Sequence, residues 1–272
     1  MSKIFKSFKA SPKYSIKWSN YFDIYENLFQ KFLKKKIKIV EVGIGDGGSL
    51  FMWKNFFGKN AKIIGIELNP EAKNLQKNGF KIYNGDQSSP DFWKSFYKKT
   101  GKIDILIDDG GHTNLQQITT LVESINFIKP GGMIIIEDTH TSFMKNKGFK
   151  NPSKYSFINF TLSIIEIIHR RNPNLNKKLN FISKKINSIE YYDSITVINI
   201  AKKELNKSKN LENNKKLRNY FVDYRYKRKN ISKKIEKKNF SNFFSNKISK
   251  RSYLYRIYEN SIIKKYLKLI TN

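Results

Sequence analysis

Between Ile37 and Ile200 short apolar runs alternate with longer amphipathic stretches, the pattern of strands alternating with helices. Strands are expected at 37–42, 62–68, 80–84, 103–108 and 133–137, and helices between them at 49–57, 70–78, 90–100 and 115–127. Pro70 and Pro90 fall at early helical positions, where a missing amide donor costs little. Lys129-Pro130-Gly131-Gly132 reads as a turn ahead of the fifth strand. A longer helix is expected at 154–171, followed by a hairpin-like pair at 189–192 and 195–200. Ahead of all this, Trp18, Tyr21, Phe22, Tyr25, Phe29 and Phe32 recur at helical spacing, so 14–36 reads as a lead-in helix whose aromatic stripe enters the core. The pattern predicts an α/β fold: a seven-stranded, mostly parallel sheet between helices, the last strand antiparallel. The expected divisions are a lead-in at 1–36, a main domain at 37–201 and an extension at 202–272.

Composition narrows the chemistry. The 272 residues can bury one core and leave material over. There is no cysteine, which excludes disulfides, thiolate metal sites and a cysteine nucleophile. No apolar run approaches the roughly 20 residues of a membrane span, and the first residues lack the apolar core of a signal peptide. A cytoplasmic protein is the expectation.

The net charge of +31 has two readings. One is affinity for nucleic acid or an anionic membrane surface; the other is codon composition, since Lys, Asn and Ile dominate together and share A/T-rich codons. The charge is uneven: residues 202–272 hold 22 Lys and Arg against 5 Asp and Glu, more than half of the net value. Aromatic residues recur through that stretch, and a solvated tail needs few of them. The expectation is a basic, partly helical C-terminal extension, with short helices near 217–228 and 253–269. It would fold against the main domain and hold an anionic partner or the inner face of a membrane.

Candidate chemistry gathers behind three strands. After the first comes Glu41-Val42-Gly43-Ile44-Gly45-Asp46-Gly47-Gly48-Ser49, whose glycines permit a tight turn and a close ligand approach to the next helix. Gly43, Gly45 and Gly48 satisfy the G-x-G-x-x-G spacing, a weak signal alone, and Glu67 closes the second strand where a ribose-binding carboxylate is expected. These features suit NAD and S-adenosylmethionine (SAM) equally. Glu41, two residues before the turn, favours SAM, because its charge would meet an ammonium well and a pyrophosphate badly. After the fourth and fifth strands come Asp108-Asp109-Gly110-Gly111-His112 and Glu137-Asp138-Thr139-His140. Three or four carboxylates would meet at the carboxyl edge of one sheet, where an oxygen-ligated divalent cation is the natural occupant. His112 can accept a proton near neutral pH, and His140 suits a substrate contact or a loop role equally. Asp108 suits loop support or a face toward SAM. Asp86 and Gln87, after the third strand, lie where such folds touch adenine; Asp86 equally suits capping the next helix.

At these residues the chain resembles class I SAM-dependent methyltransferases, with a Rossmann-like sheet. Within them it looks like the metal-dependent macrolide sugar O-methyltransferases and the cephalosporin-hydroxylase-like family. The resemblance rests on Val40-Glu41-Val42-Gly43, Gly47-Gly48-Ser49-Leu50, Trp53, Ile64-Gly65-Ile66-Glu67, Ile107 to His112, Pro130-Gly131-Gly132, Glu137 to Ser142 and Tyr191 to Ile195. It covers about residues 15–201. It implies SAM bound by Glu41, Gly43, Gly45, Ser49, Glu67, Asp86, Gln87 and Asp108. It also implies Mg2+ or another hard divalent cation on Asp109, Glu137 and Asp138, and His112 as general base. Gly111 departs from the serine usual in the macrolide enzymes, and nothing in that family matches the extension after Ala201. The implied reaction is O-methylation of a sugar hydroxyl in surface-glycan or secondary-metabolite synthesis, on a small-molecule or glycan acceptor, by a chain that could work as a homo-oligomer. Two other functions compete: an NAD-dependent oxidoreductase using the glycine loop, and an RNA-binding methyltransferase using the basic tail. An acidic pocket that repels phosphates weighs against the last.

Overall fold

Successive residues of each central strand feed two different apolar layers. In β1 (Lys38–Val42) Ile39 joins one layer and Val40 the other. In β4 (Ile103–Asp108) Ile105 and Ile107 oppose Leu106, and in β5 (Ile128–Ile136) Met133 and Ile135 oppose Ile134 and Ile136. That is the period-two pleat of a sheet covered on both faces. The computed structural model describes residues 2–145, 153–170 and 180–206, with isolated positions from 211 onward. Its remaining strands are β2 (Lys62–Glu67), β3 (Lys81–Asn84), β6 (Ile186–Tyr192) and β7 (Ile195–Ile200). They form one seven-stranded sheet in the order β3-β2-β1-β4-β5-β7-β6. The first five run parallel and β7 is antiparallel to both neighbours. The strand order reverses between β1 and β4, so a crevice opens beyond their carboxyl ends.

One face is covered by α1 (Lys3–Lys9), α2 (Tyr21–Phe29) and α3 (Gly48–Phe57), which pack Ile4, Tyr25, Phe29, Trp53 and Phe56 against the sheet. The other carries α4 (Pro90–Thr100), α5 (Asn114–Ser124) and α6 (Phe157–Ile168), with Trp93, Phe96, Leu121 and Phe157. A short α7 (Asn180–Lys185) leads into β6. Among the described residues no helix is long and apolar enough to cross a membrane. By internal contacts the chain divides into Met1–Lys209 and Asn210–Asn272. Of the helices expected in the extension, 217–228 lies outside the described residues; from 257 to 267 the described positions are helical.

Three expectations change. The lead-in is not one helix: α1 precedes it, residues 11–20 are non-helical, and only Tyr21–Phe29 and a 3-10 turn at Gln30–Phe32 are helical. Tyr21, Phe22, Tyr25, Phe29 and Phe32 are therefore buried as the stripe predicts, whereas Trp18, ahead of the helix, is 60% exposed. Pro70–Asn78 is a 3-10 helix, not an α-helix. Lys129-Pro130-Gly131-Gly132 is not a turn but part of β5, where the register against β4 shifts. Gly131 has φ +80° and a Cβ on Gly132 would sit 2.3 Å from the Asp104 carbonyl oxygen, so the glycines serve an irregular strand and a close backbone approach.

The ends of the sheet differ in charge. Lys38, Lys62 and Lys81 open three adjacent strands at the amino edge, where a cavity of about 480 Å³ is also lined by Lys54, Lys59 and Lys99. Acidic residues collect at the opposite edge.

Phe29 is fully buried and its ring meets those of Tyr25, Trp53, Phe56 and Phe57. Phe29→Ala should lower the unfolding free energy by about 3–5 kcal/mol, read from urea denaturation. A loss under about 1 kcal/mol would mean that this aromatic cluster does not hold the lead-in helix to the sheet.

Candidate active site

The glycine loop is shaped by contact with the loop after β4. Gly43 has φ +78°, and a Cβ there would lie 2.0 Å from the Asp109 carbonyl oxygen. Only a residue without a side chain lets the two loops touch. Gly47, also left-handed, caps α3, and the Gly45 N–H donates to Glu67 Oε2 at 3.1 Å. The other Glu67 oxygen accepts from the Leu68 and Asn69 amides. A cavity of about 310 Å³ lies here, lined by Gly43, Gly45, Glu67, Asp86, Gln87 and Gly110 among others.

Glu41, Ser49 and Asp108 stand behind that cavity. Glu41 is fully buried, accepts from Ser49 Oγ at 2.7 Å, and burial pushes its carboxyl above the usual range. Burial also raises Asp108, whose two oxygens accept from Gln87 Nε2 at 2.8 and 3.0 Å. The Gln87 oxygen accepts from the Gly111 amide at 3.0 Å, so Gln87 ties the loops after β3 and β4 together. Gly111 has a local cause: a Cβ there would lie 2.2 Å from Gln116 Oε1, the side chain that closes the capping box of α5 with Thr113.

Beside the cavity is the acidic cluster. One ligand atom each of Asp109, His112 and Asp138 lies within 4.8 Å of the others. His112 Nε2 is 3.4 Å from Asp138 Oδ2 and 3.8 Å from Asp109 Oδ1. His112 and Asp138 both hold left-handed backbone, at φ +56° and +52°, a conformation that costs of order 1 kcal/mol or more and concentrates at functional sites. Neighbours fix them there: Thr141 Oγ1 donates to the His112 carbonyl, and the Asp138 amide donates to the Tyr21 hydroxyl. Asp138 Oδ1 accepts from Tyr21 at 2.6 Å and from Trp18 Nε1 at 3.1 Å, while burial and this contact hold the Tyr21 hydroxyl protonated far above its usual range. His140 stands at the edge, its Nδ1 4.0 Å from Asp138 and its ring edge-on to Trp18.

Deeper in the same cradle sits a residue that sequence reasoning missed. The Lys17 ammonium, on a side chain only 1% exposed, lies 2.5 Å from Asp109 Oδ2 and 2.8 and 2.9 Å from the two oxygens of Glu137. Glu41 is 3.7 Å away, and the buried Tyr25 hydroxyl donates to Glu137 from the other side. Burial alone would lower the Lys17 pKa; the charges of Asp109, Glu137 and Glu41 overcome it and hold the ammonium well above its usual value. Burial and Asp109 push Glu137 the other way, toward a neutral carboxyl. Both Glu137 oxygens accept from Lys17, so the ionised pair is the form this geometry supports.

The donor set suits a divalent cation. Glu41, Asp109 and Glu137 face the Lys17 ammonium, while Asp109 Oδ1 and Asp138 Oδ2 lie beside the His112 imidazole, so the carboxylates outnumber the cation that meets them.

Residues 40–139 match the family model for a methyltransferase domain. That stretch runs from β1 to just past β5. Among curated proteins it is similar to the mycinamicin VI 2''-O-methyltransferase of Micromonospora griseorubida, 26% identical over 186 residues, 64% of this chain and 46% of that one. It is also similar to the 8-demethyl-8-alpha-L-rhamnosyl tetracenomycin-C 2'-O-methyltransferase of Streptomyces olivaceus, 30% identical over 138 residues, 47% of this chain and 36% of that one. The chain thus spans less than half the length of these two relatives. Among solved structures, the MycE methyltransferase of mycinamycin biosynthesis, in complex with Mg and SAH, superposes with a TM-score of 0.64 at 23% identity, covering 74% of this chain and 54% of that one. That likeness establishes the fold.

Within the matched stretch, the sequence-based candidates thus fall into three places. Gly43, Gly45, Glu67, Asp86 and Gln87 line the cavity, and Asp109, His112 and Asp138 form the cluster. Glu41, Ser49, Asp108 and Glu137 are buried behind them. Lys17 had no sequence signal of its own; the period of two in the burial of its segment is visible only in the structure. From Ser11 to Trp18 residues alternate between partly covered and exposed, with Ser11, Lys13, Ser15 and Lys17 on the covered side, a strand-like period hidden beneath the helical spacing of the aromatics.

Gly43→Ala forces a side chain onto backbone at positive φ and against a carbonyl. It should cost at least ~2 kcal/mol of stability, measured by urea denaturation. A variant as stable as the parent would mean that the two loops are free to separate.

Proposed function

We propose that this chain is a SAM-dependent O-methyltransferase that acts on a sugar hydroxyl with the help of a divalent cation. One observation carries the reading: the cavity and the cluster share a single loop. Gly110 and Gly111 line the cavity, while Asp109 and His112, their neighbours in sequence, belong to the cluster. A cofactor held on one side of that loop lies next to an acceptor held on the other. The rhamnosyl and mycinamicin relatives support the choice of a sugar acceptor.

In this reading Glu67 accepts from the ribose hydroxyls, and Asp86 and Gln87 stand at the adenine end. The backbone of the glycine loop admits the amino-acid end, with the negative charge of Glu41 behind it. SAM supplies a methyl group activated by the sulfonium, and the divalent cation supplies positive charge that acidifies a bound hydroxyl. Asp109 and Asp138 would hold the cation, with Glu137 within the same cradle. The acceptor oxygen would bond to the methyl carbon as the carbon–sulfur bond breaks, and His112 Nε2 would take the hydroxyl proton. Trp18, exposed beside Asp138 and His140, offers a ring face to the sugar. The basic extension adds a surface for an anionic partner.

Calorimetry with SAM and with NAD tests the cofactor. SAM should bind, and Glu67→Ala should weaken it by about 1.5–3 kcal/mol through loss of a charged acceptor. Tight NAD binding without SAM binding would overturn the reading. On a rhamnosylated acceptor, His112→Ala should lower turnover by about 10²–10⁴ while SAM affinity holds. Near-normal turnover would remove His112 from the proton transfer.

A further inference from the structure

Lys17 is placed by the fold rather than by chance. The extended segment that carries it is fastened to the glycine loop at several points. Ser11 Oγ donates to the Gly48 carbonyl at 2.8 Å, and Lys13 Nζ pairs with Asp46 at 2.9 Å. The Tyr14 amide donates to the same carboxylate. Gly48 has no room for a Cβ, because the Lys13 and Tyr14 carbonyl oxygens occupy its place at 2.5 and 2.3 Å. On the far side, α2 begins at Tyr21, whose hydroxyl is bound to Asp138. A segment held at both ends delivers the ammonium to the floor of the cradle.

There it takes up specific oxygens. Both oxygens of Glu137 and one of Asp109 are engaged by Lys17, and Tyr25 adds a further donor to Glu137. Glu137 itself is 1% exposed. The carboxylate oxygens left facing the cluster are Asp109 Oδ1 and Asp138 Oδ2, beside His112. A small divalent ion that keeps several waters needs only one or two carboxylates.

We propose that Lys17 is a tethered cation that shares the acidic cradle with the metal, withdraws Glu137 from the metal's ligands and confines the divalent ion to Asp109 and Asp138 at the rim. It is a positioning residue: by holding the inner oxygens it fixes the ion beside His112 and leaves coordination positions open to an acceptor. The inference rests on the proposed metal-assisted reaction but concerns which of this chain's own side chains hold the ion.

Titration of the full chain with MnCl2 and MgCl2 by calorimetry tests it, with circular dichroism and SAM binding as folding controls. Four proteins suffice: the parent, Asp138→Asn, Lys17→Met, and the double variant Lys17→Met with Glu137→Gln. The double variant removes the ammonium together with the buried carboxylate that it engages through both oxygens, and so strands less buried charge than Lys17→Met alone. Asp138→Asn should weaken divalent binding at least 30-fold, and the double variant should stay within about 3-fold of the parent. Lys17→Met should bind at least 10-fold more tightly, because Glu137 becomes free to join the ion. A double variant weakened as much as Asp138→Asn would overturn the proposal, since Glu137 would then be a ligand that Lys17 merely covers. If the parent binds SAM but no divalent ion while Lys17→Met gains ion binding, Lys17 excludes the ion instead of confining it, and the proposal falls together with the metal-assisted reaction. If neither binds an ion, both fall.

Discussion

The site depends on one buried ammonium. Of the carboxylates that gather toward the carboxyl edge of the sheet, Glu41 and Glu137 face this ammonium and are almost wholly out of water. Unpaired, such charges would each cost several kcal/mol in desolvation and repel one another as well. Lys17 makes the arrangement tenable by meeting Asp109, Glu137 and Glu41 at once. Removing one partner of a buried pair typically costs about 3–5 kcal/mol, because the other is left stranded. The segment at 11–20 therefore belongs to the architecture of the site although it lies outside the matched domain.

Other features follow from keeping those charges in place. The two loops that present Asp109 and Asp138 need strained backbone at His112 and Asp138, and each strained residue is tied by a neighbour: Thr141 for one, Tyr21 for the other. Gln87 clamps the β4 loop from the opposite side through Asp108 and Gly111. This loop is thus fixed at both flanks while its middle faces cavity and cluster, which is the rigidity that alignment of two reactants demands. The aromatic stripe of α2 has a double use for the same reason: Phe29 anchors the helix in the core, and Tyr25 and Tyr21, one and two turns back toward its start, send hydroxyls into the acidic cradle.

The sheet was legible in the sequence because burial on both faces leaves continuous apolar runs that turn residues bound sharply. Expected and observed limits coincide for β4 and α4, and the candidate carboxylates are where a parallel sheet must put them, at strand ends. The misses have physical causes. Pro130-Gly131-Gly132 looked like a turn because sequence does not tell a bulge, with its positive φ and tight backbone contact, from a reversal. The lead-in looked like one helix because aromatics at 18, 21, 22, 25, 29 and 32 mask the period of two before Trp18. Lys17 was invisible for a further reason. In a chain with 53 Lys and Arg, one more lysine carries no signal until its surroundings are known.

A net charge of +31 on the whole chain opposes the approach of a cationic ligand. Geometry resolves the conflict. Lys38, Lys62 and Lys81 open β1, β2 and β3 at the amino edge, whereas Glu67, Asp108 and Glu137 lie at the other end of their strands or just beyond. Strands of five or six residues separate the two edges by roughly 17–20 Å at about 3.3 Å per residue. Exposed charges are screened over about 8 Å at physiological ionic strength, so the lysine edge contributes little at the site. The carboxylates within a few ångströms are shielded from solvent and act at lower effective dielectric. A ligand at the cleft therefore meets a locally negative wall on a globally positive protein, and the sign of the site is set by the sheet's polarity rather than by the composition of the chain.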